Sequence, residues 1–356
     1  MANTKLETVL TQWQNLQPLA EIDRDRLSRR FTIDFNYNSN HIEGNTLTYG
    51  QTELLLLFGK IVGEANFRDC EEMKASNVGL QMMLVESSDK QLPLTQNFIR
   101  TLHRTLLRED YTVYRMLPGG VQTSYVIHAG QYKTRPNSVI TRYGDQFEYA
   151  SPEETPALMA DLVDWYNHAE QEGKLSPIDL AILFHYRYIR IHPFEDGNGR
   201  IARLMANYIL SRHGYPMIVV RSRLKQDYLE ALHRADLIVG STPADGAHAS
   251  LKDIRPFHKY MVNLICHEIE NDVLFVTEKS QDVWWYDGER IAFRTPSYGK
   301  ILRELRREPK ATLAYLQEEI GINRSALQKL LQTLLDKHYV ERDADGSWRV
   351  FITPSM

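Results

Sequence analysis

Apolar side chains recur along this chain mostly at helical steps. Leu6, Val9, Leu10, Trp13 and Leu16 fall three and four residues apart, which places them on one face of an N-terminal helix. The same period predicts helices over Asp23–Phe35, Gln51–Val62, Cys70–Leu84 and Thr95–Leu107. Pro118-Gly119-Gly120 then interrupts the pattern. Val121–Tyr149, rich in Val, Tyr, Thr, Gly and Arg, has no helical period and reads as loops with one short hairpin around Val139 and Phe147. Helices resume over Pro156–His168. Ser176-Pro177 opens the next one, with serine as N-cap, proline at the first helical position and Asp179 in the first turn. Its core face carries Leu180, Leu183, Phe184 and Ile189, and Asp227–Ala235 and Ile254–Asn271 follow as further helices.

The last third changes rhythm. Residues 272–295 hold Trp284, Trp285, Tyr286 and an Asp-Gly turn, and read as a connector with aromatic packing. After Pro296 the order is helix (Gly299–Glu308), helix (Thr312–Ile320), Gly321, helix (Arg324–His338), then two short apolar stretches, Tyr339–Arg342 and Trp348–Ile352, joined at Asp345-Gly346. Three helices and a terminal hairpin describe a winged helix-turn-helix. The expected fold class is all-α, with one small β excursion and this winged domain at the C-terminus.

Composition narrows the function classes. At 356 residues, 43% hydrophobic and 25% charged, the chain has the make-up of two or three globular domains, which excludes a disordered, collagen-like or coiled-coil protein. A net charge of −4 excludes coating of nucleic acid or an anionic membrane through bulk charge, so any DNA contact must be local. The only cysteines, Cys70 and Cys266, have no neighbours at metal-ligand spacing, which argues against a disulfide scaffold or zinc site and fits a reducing cytoplasm. Met1–Ala20 lacks a signal-peptide pattern, and no apolar run reaches the roughly 18–20 residues of a membrane helix. A soluble cytoplasmic protein without a membrane partner is expected.

The chemistry concentrates in His192-Pro193-Phe194-Glu195-Asp196-Gly197-Asn198-Gly199-Arg200, followed by Arg203. One helix ends near Ile191 and the next begins near Asn198. Gly197 and Gly199 therefore sit where the chain adopts positive φ or approaches something closely. A glycine-flanked helix N-terminus presents free N–H groups and a positive dipole end to an anion such as phosphate. Asn198 adds a neutral donor, and Arg200 and Arg203 share a helix face on which they can clamp phosphate oxygens. Asp196 is a hard oxygen ligand suited to a Mg²⁺ that bridges phosphates. His192, before the loop, can take a proton from an attacking hydroxyl. These are the parts of a nucleotide transferase.

The segment resembles the core motif of the Fic family (filamentation induced by cAMP), H-P-F-x-D/E-G-N-G-R-x-x-R, at every position through Arg203. The resemblance extends over about residues 30–265. It implies a helical protein that transfers AMP from ATP to a Ser, Thr or Tyr hydroxyl of a target protein and releases pyrophosphate. It further implies that His192 is the base, Asp196 binds Mg²⁺, Gly197, Asn198 and Gly199 hold the phosphates, and Arg200 and Arg203 stabilise charge on the α and the β/γ groups. Glu195, at the variable position, is expected to be a solvated carboxylate. The implied organisation is an N-terminal helical region (1–95), a catalytic core (96–270), a connector (271–295) and the winged helix (296–356).

Three further segments fit the resemblance. Ser39-Asn40-His41-Ile42-Glu43-Gly44-Asn45, expected just after a helix, looks like the inhibitory S/T-x-x-x-E-G/N motif, whose glutamate pairs with the second motif arginine, here Arg203. Gly130-Gln131-Tyr132-Lys133-Thr134 resembles the G-x-Y/F-R-T run leading into a flap that aligns the target by strand addition. Val139, Ile140 and Thr141 then fall on the flap, Lys133 departs from the family's arginine, and Arg135-Pro136 is an irregular insertion. In Arg223–Ala235, Tyr228 is the candidate for contact with the adenine, and Asp236 a second.

The implied cofactors are ATP and Mg²⁺, and the implied partner is a target protein, with self-modification included. Fic proteins commonly form homodimers. The winged helix carries ten basic against eight acidic side chains over 296–356 and offers Asn323, Arg324, Ser325 and Gln328 for base contacts, so DNA binding and protein interaction both stay open. Two rival functions use the same residues: removal of AMP from a modified protein, and nucleotide sensing by a transcriptional regulator.

Overall fold

The computed structural model describes residues 2–116, 122–140 and 146–355. In chain order the elements begin with α1 (Ala2–Asn15), α2 (Glu21–Ile42), α3 (Tyr49–Phe58), α4 (Phe67–Ser88) and α5 (Gln96–Leu107). Two hairpins follow, β1 (Tyr111–Met116) with β2 (Gln122–Ile127) and β3 (Ser138–Ile140) with β4 (Gln146–Glu148). Next come α6 (Thr155–Glu172), α7 (Pro177–Ile191), α8 (Asn198–Arg212), α9 (Lys225–Val239), α10 (Pro243–Ala247) and α11 (Arg255–Thr277). The C-terminal part holds β5 (Val283–Tyr286), β6 (Glu289–Ala292), α12 (Pro296–Arg307), α13 (Leu313–Ile320), α14 (Arg324–Asp336), β7 (Val340–Arg342), β8 (Trp348–Val350) and β9 (Thr353–Pro354). The protein is mostly helical, as the periodicity predicts. No described helix is long and apolar enough to cross a membrane.

Packing divides the chain into two units. One comprises residues 1–2, 38–45 and 71–266, and the other 3–37, 46–70 and 267–356. In the first, α7 and α8 form the centre and pack on each other. Ile182, Phe184, Tyr186, Tyr188, Met205 and Ile209 are each completely buried, and a helix buried around its circumference is a core helix. Ser176 caps α7 as expected, its side chain accepting from the Asp179 N–H. The loop between α7 and α8, anchored by these two rigid helices, carries the His192 motif.

In the second unit a cluster of Trp284, Ile301, Leu302, Leu305, Leu316, Leu327, Leu331 and Leu334 fills the space among the three winged-domain helices. Residues 283–292, read as a connector, are instead structural strands. β5 pairs with β6 on one side and with β9 on the other, which buries Trp284 and Trp285 in a three-stranded sheet. The Asp287-Gly288 turn marks the β5–β6 hairpin, whereas the pairing with β9 spans too long a stretch of chain to leave a local signature.

Several other boundaries differ from the periodicity. The hairpin β1–β2 occupies a stretch read as loop, in full register from Tyr111 with Ile127 to Met116 with Gln122. The β3–β4 hairpin falls where it is expected, with Val139 opposite Phe147. α2 continues past Phe35 to Ile42, so Ser39 lies on its last turn and Glu43 just beyond it. Pro118, Gly119, Gly120 and Thr141 lie outside the described residues.

Candidate active site

His192 is the C-cap of α7, with φ 51° and ψ 61°, an unusual conformation for a residue with a side chain. Lys133 holds that turn. Its Nζ donates to the carbonyls of Ile191 (3.1 Å) and His192 (2.9 Å) and to Asn137 Oδ1 (2.8 Å), while its backbone N–H donates to Pro193 O (2.9 Å). An ammonium on the last carbonyls of a helix is a favourable cap. The family's arginine position therefore keeps a basic hydrogen-bond donor here, although burial pushes Lys133 down to about 7.

The imidazole stacks on Tyr149 with ring centres 3.9 Å apart. Its Nδ1 lies 3.3 Å from Ile189 O. A carbonyl can only accept, so Nδ1 carries the proton and Nε2 keeps its lone pair. Burial, with Lys133 nearby, pushes the ring down to about 3, so it stays neutral.

Asp196 is fixed from three sides. Its Oδ2 accepts from the Tyr111 hydroxyl (2.5 Å), its Oδ1 from the Gly197 N–H (2.6 Å), and its backbone carbonyl from His103 Nε2 (2.9 Å). His103 Nδ1 accepts from the Gly130 N–H at 2.9 Å, which sets its tautomer, and the ring stacks on Phe194 at 3.7 Å. Burial alone would raise the Asp196 pKa, but Arg200, Tyr111 and the Gly197 N–H outweigh it and hold the carboxyl below its usual range. Among the described residues no cluster of three or more His, Cys, Asp or Glu could hold a metal by itself. One ionised carboxylate matches Mg²⁺, which takes one or two protein carboxylates and completes its octahedron from phosphate oxygens and water.

The loop between the helices is shaped from within. Gly197 is the N-cap of α8 at φ 75°. Asn198 brackets Phe194, accepting from its N–H (3.0 Å) and donating to its carbonyl (2.7 Å). This differs from the expected ligand donor: the amide holds the loop in place. Glu195 also differs from a solvated carboxylate, since its Oε1 accepts from Thr134 Oγ1 at 3.2 Å.

Arg200 and Arg203 are 5% and 3% exposed. Arg200 Nη2 lies 3.7 Å from Asp196 Oδ2. Arg203 is gripped by the far end of α2. Its Nε donates to Ser39 Oγ (3.0 Å), and its Nη2 donates to Ser39 O (2.8 Å) and to Glu43 Oε1 (2.6 Å). Burial opposes ionisation of Glu43, yet Arg203 prevails and holds its carboxyl below the usual value. A Cβ on Gly199 would lie 2.5 Å from Glu43 Oε1, so the carboxylate occupies the space directly over the α8 N-terminus.

The remaining expectations fare differently. Tyr228 is 2% exposed, its hydroxyl 2.7 Å from His185 Nε2 and close enough to Arg203 to feel its charge. That places it behind Arg203, as a support, and not as a free face for a base. Asp236 accepts from Tyr186 (2.8 Å) and Arg190 (3.2 Å). Val139 stands on β3, whose partner strand β4 leads to Tyr149 and so to the His192 ring. Lys133, from the run leading into the flap, completes the site together with His103, Tyr111 and Tyr149, whose positions no local motif marks.

Residues 93–210 match the Fic/DOC family, and 299–341 match a winged helix-turn-helix DNA-binding family. A solved Fic domain-containing signaling protein from Bacteroides thetaiotaomicron is 52% identical, with a TM-score of 0.71, over 76% of this chain and 96% of that one. Fic-1 from Caenorhabditis elegans is 25% identical with a TM-score of 0.59, covering 76% and 72%. Protein adenylyltransferase fic-1 from Caenorhabditis briggsae is 28% identical over 66% of this chain and 40% of its own length. The chain spans well under two thirds of the length of the curated relatives it matches.

Proposed function

This chain belongs to the Fic/DOC family, and on that premise we propose that it is a protein adenylyltransferase. It moves AMP from ATP to a Ser, Thr or Tyr hydroxyl of a target protein and releases pyrophosphate. The observation that carries this reading is a histidine with a free Nε2 lone pair beside an arginine-lined helix N-terminus.

In the proposed reaction His192 Nε2 accepts the target hydroxyl's proton as that oxygen bonds to the α-phosphorus and the bond to the β-phosphate oxygen breaks. Phosphate charge near the ring raises its basicity from the low value of the unliganded pocket. The N–H groups of Asn198 and Gly199 and the Arg200 guanidinium face the charge that builds on the phosphoryl oxygens, while the Gly197 N–H holds Asp196 in place. Mg²⁺ held by Asp196 would neutralise phosphate charge. Tyr111 and His103 keep Asp196 aimed, and Lys133 keeps the His192 turn in place.

Glu43 is the brake. It holds Arg203 and covers Gly199, where the terminal phosphates would lie. The protein works in the cytoplasm in this reading, consistent with both cysteines being free and buried. A DNA contact is the second reading, favoured by the winged-helix match. Asn323 caps α14 through Ala326 N, which leaves Arg324, Ser325 and Gln328 for bases.

The test incubates labelled ATP, Mg²⁺ and cell lysate with wild type, Glu43→Gly, and Glu43→Gly with His192→Ala. Strong protein labelling confined to Glu43→Gly is expected. Labelling in none of the three, with ATP still binding, would remove the transferase reading for the targets present.

A further inference from the structure

The unit formed by residues 3–37, 46–70 and 267–356 contains a cavity of about 830 Å³ with no part in the chemistry above. Its walls come from α2, from α3 and the turn after it, from the end of α12, and from β8 with the residues that follow. The volume falls within the roughly 300–1,000 Å³ of small-molecule sites. Leu54, Leu57, Phe58, Ile61 and Leu305 give it an apolar wall.

The charges around it are lopsided. Arg26, Arg30 and Arg349 line the cavity and already hold carboxylates, those of Asp23, Asp272 and Asp343. Arg29, Lys60, Arg306 and Lys310 line it too, and none has a carboxylate within 4.0 Å among the described residues. Against these cations the lining offers only Asp25 and Glu53.

Hydrogen bonding is incomplete at the same place. Arg30 is 5% exposed and lies against Phe275 and Trp285, yet its Nη1 has no partner. Arg349 Nε and Glu53 Oε2 are likewise buried without partners. Native proteins pair nearly all such groups, so three orphaned polar atoms on residues that line one cavity are unusual. Burial pushes the Glu53 carboxyl up to about 7 in spite of Arg306 and Arg29.

We propose that this cavity binds a small organic phosphate, its anionic end held by Arg29, Arg30, Arg306 and Lys310 and its apolar body laid against Leu57, Phe58 and Leu305. A phosphate suits the site better than a single carboxylate. It carries up to two charges on three acceptor oxygens, which several guanidinium forks can share. Of the two lining carboxylates, Asp25 and Glu53, it is Glu53 whose charge Arg29 and Arg306 feel, so its ionisation opposes binding at that end.

Calorimetry on the full chain tests this, with pyrophosphate, AMP, ADP and ATP as probes. Arg203→Ala disables the site at α8, Arg29→Glu with Lys310→Glu disables the cavity, and Glu53→Gln removes the repulsion. At least one probe should bind at a site that survives Arg203→Ala. The paired reversal should weaken it by at least about tenfold, the effect of losing one charge-assisted contact. Above the Glu53 carboxyl's value of about 7, Glu53→Gln should tighten it severalfold. The proposal is overturned by absence of binding in Arg203→Ala at millimolar probe, or by affinity that the paired reversal leaves unchanged. If the reversed protein fails to fold in a thermal melt, an affinity untouched by Glu53→Gln overturns it instead. Displacement of the probe by a DNA duplex would also overturn it, reassigning the cations to backbone phosphates.

Discussion

Arg190 and Arg203 are both almost fully buried, at 1% and 3% exposure, and each faces one carboxylate. Each also has a glycine pressed against its ion pair. A Cβ on Gly246 would fall 2.4 Å from Arg190 Nε, and one on Gly199 would fall 3.0 Å from Arg203 Nη1. They differ in what else grips the cation. Arg190 donates to the carbonyls of Gly240 (2.8 Å) and Thr242 (3.0 Å) and to the Tyr186 hydroxyl (3.1 Å), so Asp236 is one partner of four. Arg203 rests on the Ser39 hydroxyl and carbonyl, and its carboxylate keeps a route to water: the Glu43 side chain is 37% exposed against 19% for Asp236. Burial wins at Asp236 and raises its pKa, whereas Arg203 wins at Glu43 and lowers it. The fixed cation has two backbone carbonyls and a tyrosine hydroxyl beside its carboxylate, and the releasable one has Ser39 beside its own.

That contrast can be broken outright at Arg190. Arg190→Ala leaves a buried carboxyl and two carbonyls without their donor, and should cost about 3–5 kcal/mol, read as a large fall in Tm. Asp236→Asn, which keeps the cation's other partners and places a neutral group where burial favours one, should cost clearly less in the same melt. Equal losses would mean that the charge pair, not the backbone anchorage, holds this region.

The glycines come next in size. Gly246→Ala forces a rigidly held guanidinium to move and should cost about 1–3 kcal/mol, the usual range for overpacking. Gly199→Ala meets a carboxylate that can swing to solvent, so its thermal penalty should be the smaller of the two. Glu43→Gly should change stability by no more than about 1 kcal/mol, a typical hydrogen-bond contribution, while AMP transfer rises at least about tenfold. A loss of several kcal/mol for Glu43→Gly would make the pair structural.

Acid should separate the pairs by sign. The Glu43 carboxyl is depressed in the folded protein, so its contribution is present above the ordinary carboxylate value and fades as pH falls through the lower folded one. Glu43→Gln should therefore show its small deficit at neutral pH and lose it below about pH 4. Asp236 is raised, so protonation as pH falls favours the fold, and the Asp236→Asn deficit should not follow the same course. Parallel pH profiles of Tm for the two variants would contradict this reading.

Much of the core was legible because its signals are local. The cap Ser176-Pro177 and the apolar faces of α7 and α8 declare two core helices, and the loop between them compresses base, carboxylate, glycines and arginines into one motif. The reach of Glu43 to Arg203 was also legible, through family resemblance. What stayed hidden acts through backbone or over long separations. His103 works by bonding the carbonyl of Asp196, Lys133 by capping α7, and Asn198 by bracketing Phe194, and none of these roles depends on a recognisable spacing. β5 pairs locally with β6 across the Asp-Gly turn, but its other neighbour, β9, comes from far along the chain and could not be read locally. Tyr228 has the helical spacing of a packing residue as much as of a ligand contact, and the difference depends on Arg203 behind it.

The glycine at 199 also determines what kind of inhibitor Glu43 is. Its Oε1 fills the volume that a Cβ would claim, at the N-terminus where an anion would bind, so carboxylate and ligand compete for one place. Because the competitor belongs to the same chain, its effective concentration is set by the geometry of a single helix end and not by the amount of protein. Dilution cannot loosen it and crowding cannot strengthen it. Only an event that separates the end of α2 from α8, or a ligand that outbids a carboxylate already in position, changes the occupancy.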